Sequence, residues 1–148
     1  MKKQITWILV ADGKRGMIYS HDGPGHGIVA VPGMKFETEL HASRDIVSDK
    51  PGRVQESGYS AHHSVERVDY HRLEKAHFAQ ELAKRLDAAL EQGQCQRLVL
   101  VAPPRALGDL RQALAPKSRS AVTGELDKDL TQAKLPDIAK HLEAVLAV

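Results

Sequence analysis

One arginine occupies the position where the sequence offers its clearest binding chemistry. Arg105 follows the apolar run Leu98–Ala102 and the pair Pro103-Pro104. A run that is apolar at every position is typical of a strand covered on both faces, and ligands of open α/β sheets bind beyond the carboxyl ends of such strands. At the start of a following helix, the guanidinium fork and free backbone N–H groups can hold a phosphate or a carboxylate. The alternative is that Arg105 pairs with a local acid or caps a neighbouring strand end.

Acidic residues follow the first and the last predicted strands. Asp12 ends the first strand, and Asp127, Lys128 and Asp129 follow the last one. If these strands are parallel, the four residues lie at one sheet edge near Arg105, where paired carboxylates can bind Mg²⁺ for phosphoryl chemistry. The alternative is turn chemistry, because Asp-Gly favours a hairpin and aspartates bond their own backbone in turns. We favour the turns and predict neither a metal nor a cofactor.

Four histidines raise the question of a zinc site: His62, His63, His71 and His77. The adjacent pair cannot easily point the same way, and the other two lie on different faces of a helix. The sequence has no His-Glu-x-x-His motif and no Gly-x-Ser-x-Gly nucleophile elbow. We therefore expect solvated or hydrogen-bonded histidines, and keep His62, His63 and His71 as candidate binding residues.

The segment 41–75 is the place to look for an RNA-binding loop. It holds six Lys/Arg and six Asp/Glu residues, so its formal charge is zero. Dedicated RNA-binding loops are more basic and carry aromatic residues for stacking. The cations that this segment offers to RNA are Lys50, Arg53, Arg67 and Arg72.

Hydrophobic periodicity predicts a strand-rich first half, followed by alternating helices and strands. The clearest helix is 70–92, which has an apolar stripe at helical spacing, Asp69 as its N-cap and Gly93 as its stop. The other predicted elements are strands at 5–11, 15–20, 28–31, 35–40, 97–102 and 120–126, a short helix around 107–114 ended by Pro116, and a closing helix at 135–146. Residues 41–69 are predicted to form a long loop. This order predicts an α/β fold in which an antiparallel N-terminal meander joins a mixed sheet flanked by helices.

The composition indicates one domain over residues 1–148, with 42% hydrophobic and 27% charged residues. A net charge of +2 is too small to indicate nucleic-acid binding by itself, and no DNA partner is expected. The single cysteine, Cys95, fits a reducing cytosol. The apolar run Ile5–Ala11 is too short for a membrane span and lacks a signal-peptide cleavage site. These features predict a cytoplasmic protein without membrane contact.

Five segments, in this order, carry a resemblance to a known family: Trp7–Gly13, Asp49–Arg53, His71–Phe78, Leu98–Arg111 and Glu125–Leu130. The chain resembles the bacterial "protein required for attachment to host cells" family over nearly its whole length. That family is similar to the central domain of archaeal and eukaryotic class-1 peptide release factors and of Pelota. The resemblance implies a ribonuclease H-like fold.

The loop before the long helix separates the chain from true release factors. Their loop carries Gly-Gly-Gln, which enters the peptidyl-transferase centre and positions water. Here the segment reads Gly-Arg-Val-Gln-Glu-Ser-Gly over residues 52–58, with Gln55 but no glycine pair. Val54 cannot readily adopt the positive φ that glycine allows. The resemblance therefore implies the fold more firmly than peptide release.

The resemblance implies a binding module that contacts the ribosome, RNA or a ribosome-associated partner and is linked to host attachment only indirectly. Arg53 and Gln55 are its candidate contacts in the loop. The alternative is a hydrolase of a phosphate or an aminoacyl or peptidyl ester, with Arg105 holding the anion and Asp127 or a loop histidine as base. A third possibility is a structural or regulatory interaction protein.

Overall fold

A computed structural model describes residues 4–38 and 60–148, with side chains described for residues 4–38 and 70–148. Within these ranges, five strands and four helices form. They are β1 (Thr6–Ala11), β2 (Arg15–His21), β3 (Val29–Glu37), α1 (Ser60–Glu91), β4 (Arg97–Val101), α2 (Pro104–Ala113), α3 (Pro116–Ala121), β5 (Val122–Leu126) and α4 (Leu135–Leu142). The predicted α/β class and the helix-flanked mixed sheet are confirmed.

The strands form one mixed sheet in the order β3-β2-β1-β4-β5. β1, β2 and β3 pair antiparallel, as the predicted meander requires, whereas β4 pairs parallel with both β1 and β5. Thr6 of β1 lies opposite Arg97 of β4, and Val10 lies opposite Val101. The carboxyl ends of β1, β4 and β5 therefore meet at one edge of the sheet, which we call the carboxyl edge.

The two central strands, β1 and β4, are buried on both faces of the sheet. One face shares a core with α1 and α2, whose largest fully buried members are Leu9, Ile18, Leu82, Leu86, Leu98, Leu100, Leu110 and Leu114. The other face shares a core with α4, formed mainly by Ile8, Val10, Val99, Val101, Ile138 and Leu142. The prediction that the apolar run before Pro103 is covered on both sides is thereby confirmed.

Helix α1 begins earlier than the sequence pattern predicts. The prediction of a start at Tyr70 with Asp69 as N-cap is wrong, because the helix already runs from Ser60. Ala61, Val65 and Val68 fall at helical spacing, and residues 61–69 contain neither glycine nor proline to stop a helix. Residues 60–69 of the predicted loop therefore belong to α1.

The end of α1 is where the sequence places it. Gly93 has a φ of 75°, in the left-handed region that glycine favours. Its backbone N–H donates to the Leu90 carbonyl, and the Gln94 N–H donates to the Ala89 carbonyl. This pair of bonds is a Schellman motif, which satisfies carbonyls at the helix terminus.

Three other boundaries differ from the prediction. The predicted strands 28–31 and 35–40 are one edge strand, β3, whose pairing with β2 is irregular between Met17 and Tyr19. Pro32 lies in this irregular stretch, between the paired residues Ala30 and Lys35, and proline is tolerated at bulges and on edge strands. Residues 116–121 form α3, so the last strand begins at Val122, and α4 ends at Leu142.

Two glycines provide a matched test of this packing. A Cβ built on Gly124 of β5 would lie 2.8 Å from the Val145 Cβ, whereas one on Gly108 of α2 would meet nothing within 4 Å. We expect Gly124→Ala to lower the free energy of unfolding by about 1–3 kcal/mol through overpacking. Gly108→Ala should raise it by about 0.5–1 kcal/mol, because alanine favours a helix interior. Urea unfolding measures both, and equal midpoints for the two variants would contradict the packing of Val145 on β5.

The thiol of Cys95 is buried, and burial raises its pKa to about 11. At pH 9.5 the unfolded chain exposes a largely ionised thiol, so we expect iodoacetamide to alkylate the folded protein at least about tenfold more slowly than the urea-unfolded protein. Because the unfolded state loses its proton first, stability should fall as pH rises from the ordinary thiol pKa towards 11. Equal alkylation rates in the two states would refute the burial of this thiol.

Candidate functional site

A cleft of about 550 Å³ opens at the carboxyl edge, beside the ends of β1 and β4. It lies between the β1–β2 turn, one face of α1 and the start of α2. Its lining residues are Asp12, Gly13, Lys14, His71, Arg72, Lys75, Ala79, Leu82, Pro103, Arg105, Ala106, Asp109 and Leu110. Clefts that bind small molecules have volumes of about 300–1,000 Å³, so its size suits a ligand.

The cleft combines an apolar base with cationic walls. Ala79, Leu82 and Leu110 belong to the buried core and supply the apolar part. Four lining side chains are lysine or arginine and two are aspartate, which gives a net charge of two positive before any histidine is counted. This charge favours an anion.

Arg105 stands at the second position of α2, where the sequence analysis predicts a binding residue. Its side chain is exposed, and in the described structure no hydrogen bond or ion pair holds it. The alternative of a pair with a local acid is therefore not observed among the described residues. Helix α2 also has no side-chain N-cap, so the Arg105 and Ala106 N–H groups, in its first turn, have no intrahelical acceptor.

Lys75 reaches the cleft by crossing the β1–β2 turn. A Cβ built on Gly13 would lie 2.9 Å from Lys75 Cδ and 3.0 Å from its Cγ. The lysine stem therefore lies directly on the glycine backbone. Neither Lys75 nor Lys14, the next residue of the turn, forms an ion pair within the described structure.

Arg72 differs from the other cations because it is already paired. Its guanidinium donates a hydrogen bond to Asp109 Oδ1, and this bond raises the pKa of Arg72 above its ordinary value. The Asp109 side chain is only 12% exposed, and the pair ties α1 to α2. We therefore regard Arg72, which the sequence offers to RNA, as a structural residue of the cleft wall.

Asp12 stabilises the β1–β2 turn, which is the role that the sequence predicts for it. Its Oδ1 accepts the backbone N–H groups of Lys14 and Arg15, each at 2.8 Å. Its Oδ2 lies 4.0 Å from Arg15 Nε and 3.3 Å from the Thr131 hydroxyl. Asp12 thus shapes the hairpin and presents the residues that follow it.

The other acidic candidates do not join Arg105. Asp127 and Lys128 are exposed and do not line the cleft, and Lys128 Nζ lies 3.3 Å from His141 Nδ1. The Arg105–Asp127 pair that a hydrolase would use is therefore not assembled in this cleft. The described residues contain no group of three or more His, Cys, Asp or Glu side chains that could hold a metal ion.

Asp129 approaches Asp12 through Thr131, a residue that the sequence analysis did not select. The Thr131 hydroxyl lies 2.6 Å from Asp129 Oδ1 and 3.3 Å from Asp12 Oδ2. A hydroxyl has a single proton, so it donates to one carboxylate at a time, and the shorter distance favours Asp129. Nothing in the sequence pairs Thr131 with a carboxylate so far away along the chain.

Of the two candidate histidines whose side chains the structure describes, one lines the cleft and the other does not. His71 lines the cleft, and its buried Nε2 has no hydrogen-bond partner in the described structure, whereas His77 is exposed. His62 and His63 belong to α1, but their side chains lie outside the described part. Arg53 and Gln55 lie outside the described residues altogether.

The missed cation Lys75 has a signal in the sequence. His71, Lys75, Ala79 and Leu82 follow one another at helical spacing, so they share one face of α1. That face passes from the apolar core to the cleft. The signal in the sequence is that His71 and Lys75 extend the apolar stripe of α1 beyond Ala79.

A family model described as "Protein required for attachment to host cells" matches residues 7–142. The chain belongs to this family. The resemblance that the sequence motifs carry is thereby confirmed. No curated protein matches this family member in sequence.

A solved structure with a similar fold is the crystal structure of an archaeal translation termination factor, aRF1. The two share 10% sequence identity with a TM-score of 0.51, over 82% of this chain and 29% of the termination factor. The host-attachment family member therefore spans less than a third of that protein, and the likeness is one of fold. No described helix combines the length and hydropathy needed to cross a membrane.

The Arg72–Asp109 pair can be tested against a more exposed pair, Arg111–Glu125. Asp109→Asn should lower the free energy of unfolding by about 1–2 kcal/mol, because charge-assisted hydrogen bonds contribute about 1.5–3 kcal/mol and partial exposure weakens them. Glu125→Gln removes a pair in which the Arg111 side chain is 53% exposed, so a loss of about 0.5 kcal/mol or less is expected. Chemical denaturation of both variants checks the order, and a larger loss for Glu125→Gln would contradict it.

Proposed function

We propose that this host-attachment family member is a binding module with a release-factor-like fold, which contacts the ribosome or RNA through phosphate groups held in the cationic cleft. The observation that carries the proposal is that Lys14, Lys75 and Arg105 converge on one cleft without ion-pair partners in the described structure. Unpaired cations are the groups that neutralise nucleic-acid phosphates.

The fold comparison supports the ribosome as a site of action. The fold neighbour is, by its own description, a translation termination factor. The order β3-β2-β1-β4-β5, with an antiparallel meander and two parallel strands, supports a ribonuclease H-like arrangement. The absence of a glycine pair before Gln55 in the sequence favours binding over peptide release.

We further propose that the protein acts in the cytoplasm and is linked to host attachment indirectly, through what it binds there. The lone cysteine supports this location. Cell fractionation that finds the protein at the cell exterior would overturn this part of the proposal.

A triple variant tests the cleft as the RNA contact. Lys14→Gln, Lys75→Gln and Arg105→Gln together should remove most binding of single-stranded RNA in a filter assay and abolish co-sedimentation with ribosomes. Each lost phosphate contact reduces the slope of log affinity against log salt by about 0.7, so the triple variant should lose a slope of about 2.

The matched control removes three charges elsewhere. Lys84, Lys117 and Arg119 are exposed and do not line the cleft. Changing all three to glutamine alters the net charge equally and should leave RNA affinity within about twofold, since the effect of distant charges is screened. Equal losses in the two triple variants would show that only overall charge matters, and would sink the proposal.

A further inference from the structure

We infer that the cleft receives the end of an RNA chain, with a terminal phosphomonoester among its cations, and not an internal stretch of the strand. This inference rests on the proposed function and deepens it. It follows from three properties of the cleft: its charge, its apolar base and its unpartnered histidine.

The charge of the cleft matches a phosphomonoester. Four cationic and two carboxylate side chains leave two positive charges, and the Arg72–Asp109 pair cancels within itself. A phosphomonoester carries a charge of about −1.5 to −2 at neutral pH, whereas an internal phosphodiester carries one negative charge. A terminal monoester therefore neutralises the cleft, and a single diester leaves an excess of positive charge.

The shape of the cleft favours one terminal nucleotide. Its apolar base, formed by Ala79, Leu82 and Leu110, lies among the core residues beneath the cationic side chains. A nucleotide has the same division, since its phosphate is charged and its base has an apolar face. The phosphate contacts Arg105 and Lys75, and the nucleoside covers Pro103 and Ala106, the apolar lining residues that are only half-buried.

His71 supplies the third argument. Its Nε2 is buried in the wall of the cleft and has no hydrogen-bond partner in the described structure. The great majority of buried polar atoms in proteins have a hydrogen-bond partner, so an unpaired one calls for an explanation. Because this atom is inaccessible in the free protein, we expect the His71 ring to turn towards the cleft when an oxygen of the terminal nucleotide becomes its partner.

The test compares three short RNA strands of one sequence, which carry a 5′-phosphate, a 3′-phosphate or hydroxyls at both ends. With the full-length protein, fluorescence anisotropy should show one phosphorylated strand binding at least about tenfold more tightly than the hydroxyl strand. Arg105→Gln should abolish this difference, while Lys117→Gln should preserve it.

His71→Phe separates a ligand contact from a structural role. Phenylalanine keeps a flat ring, slightly larger than imidazole, and removes the unpaired Nε2 atom at a half-buried position, so the melting temperature should stay within a few degrees, whereas the preference for the phosphorylated strand should decrease severalfold. An unchanged preference would remove His71 from the site.

Several outcomes would overturn the inference. Equal affinity for all three strands, lost to the same extent in Arg105→Gln, would show that the cleft binds internal phosphates, and would leave the proposed function standing. A phosphoserine peptide that binds as tightly as the phosphorylated RNA would show that the apolar base contributes nothing to recognition. Failure of every RNA strand and of ribosomes to bind would refute the proposed function itself.

Discussion

The parallel pairing of β1 with β4 is the constraint on which the rest of the molecule depends. Two antiparallel strands can be joined by a tight turn, but parallel neighbours need a long crossover, which here includes α1. The crossover covers one face of the sheet, and the apolar residues of both strands require α4 to cover the other. The same pairing brings the turn after β1 and the start of α2 to one edge. The cleft therefore depends on the pairing of β1 with β4, although neither strand contributes a cation to the cleft lining.

The charged residues of the cleft fall into two groups with different physical roles. Asp12 is occupied by the backbone of its own turn, and Asp109 is occupied by Arg72. These carboxylates hold the walls in place through the hydrogen bonds that they accept. The remaining cations, on three separate elements, keep their charge available. Such a separation preorganises a site, because the rigid pairs fix the geometry and the free cations need little rearrangement when an anion arrives.

The sequence predicted the features that rest on local chemistry. The unbroken apolar run before Pro103 indicated a strand covered on both faces, Asp12-Gly13 indicated a hairpin, and Gly93 indicated the end of α1, all of which the structure has. The start of α1 was missed because the short pattern of Ala61, Val65 and Val68 lies among polar residues and was included in the predicted loop. At the site, Arg105 and His71 were selected from the sequence, whereas Thr131 and Asp109 gain their roles only from contacts across the fold. Asp127 was expected beside Arg105 because both follow parallel strands, but a shared edge does not by itself make a shared cleft.

Gly13 shows how a missing side chain can determine where a charge lies. The stem of Lys75 lies against the Gly13 backbone, so close that a Cβ at this position would clash with it. The reach of that lysine into the cleft is therefore set by a residue with no functional group of its own. A comparison of related sequences that tracks only charged positions would overlook the residue that governs one of them. Within this family, a larger residue at the turn would mark a cleft of different shape, even where every cation is retained.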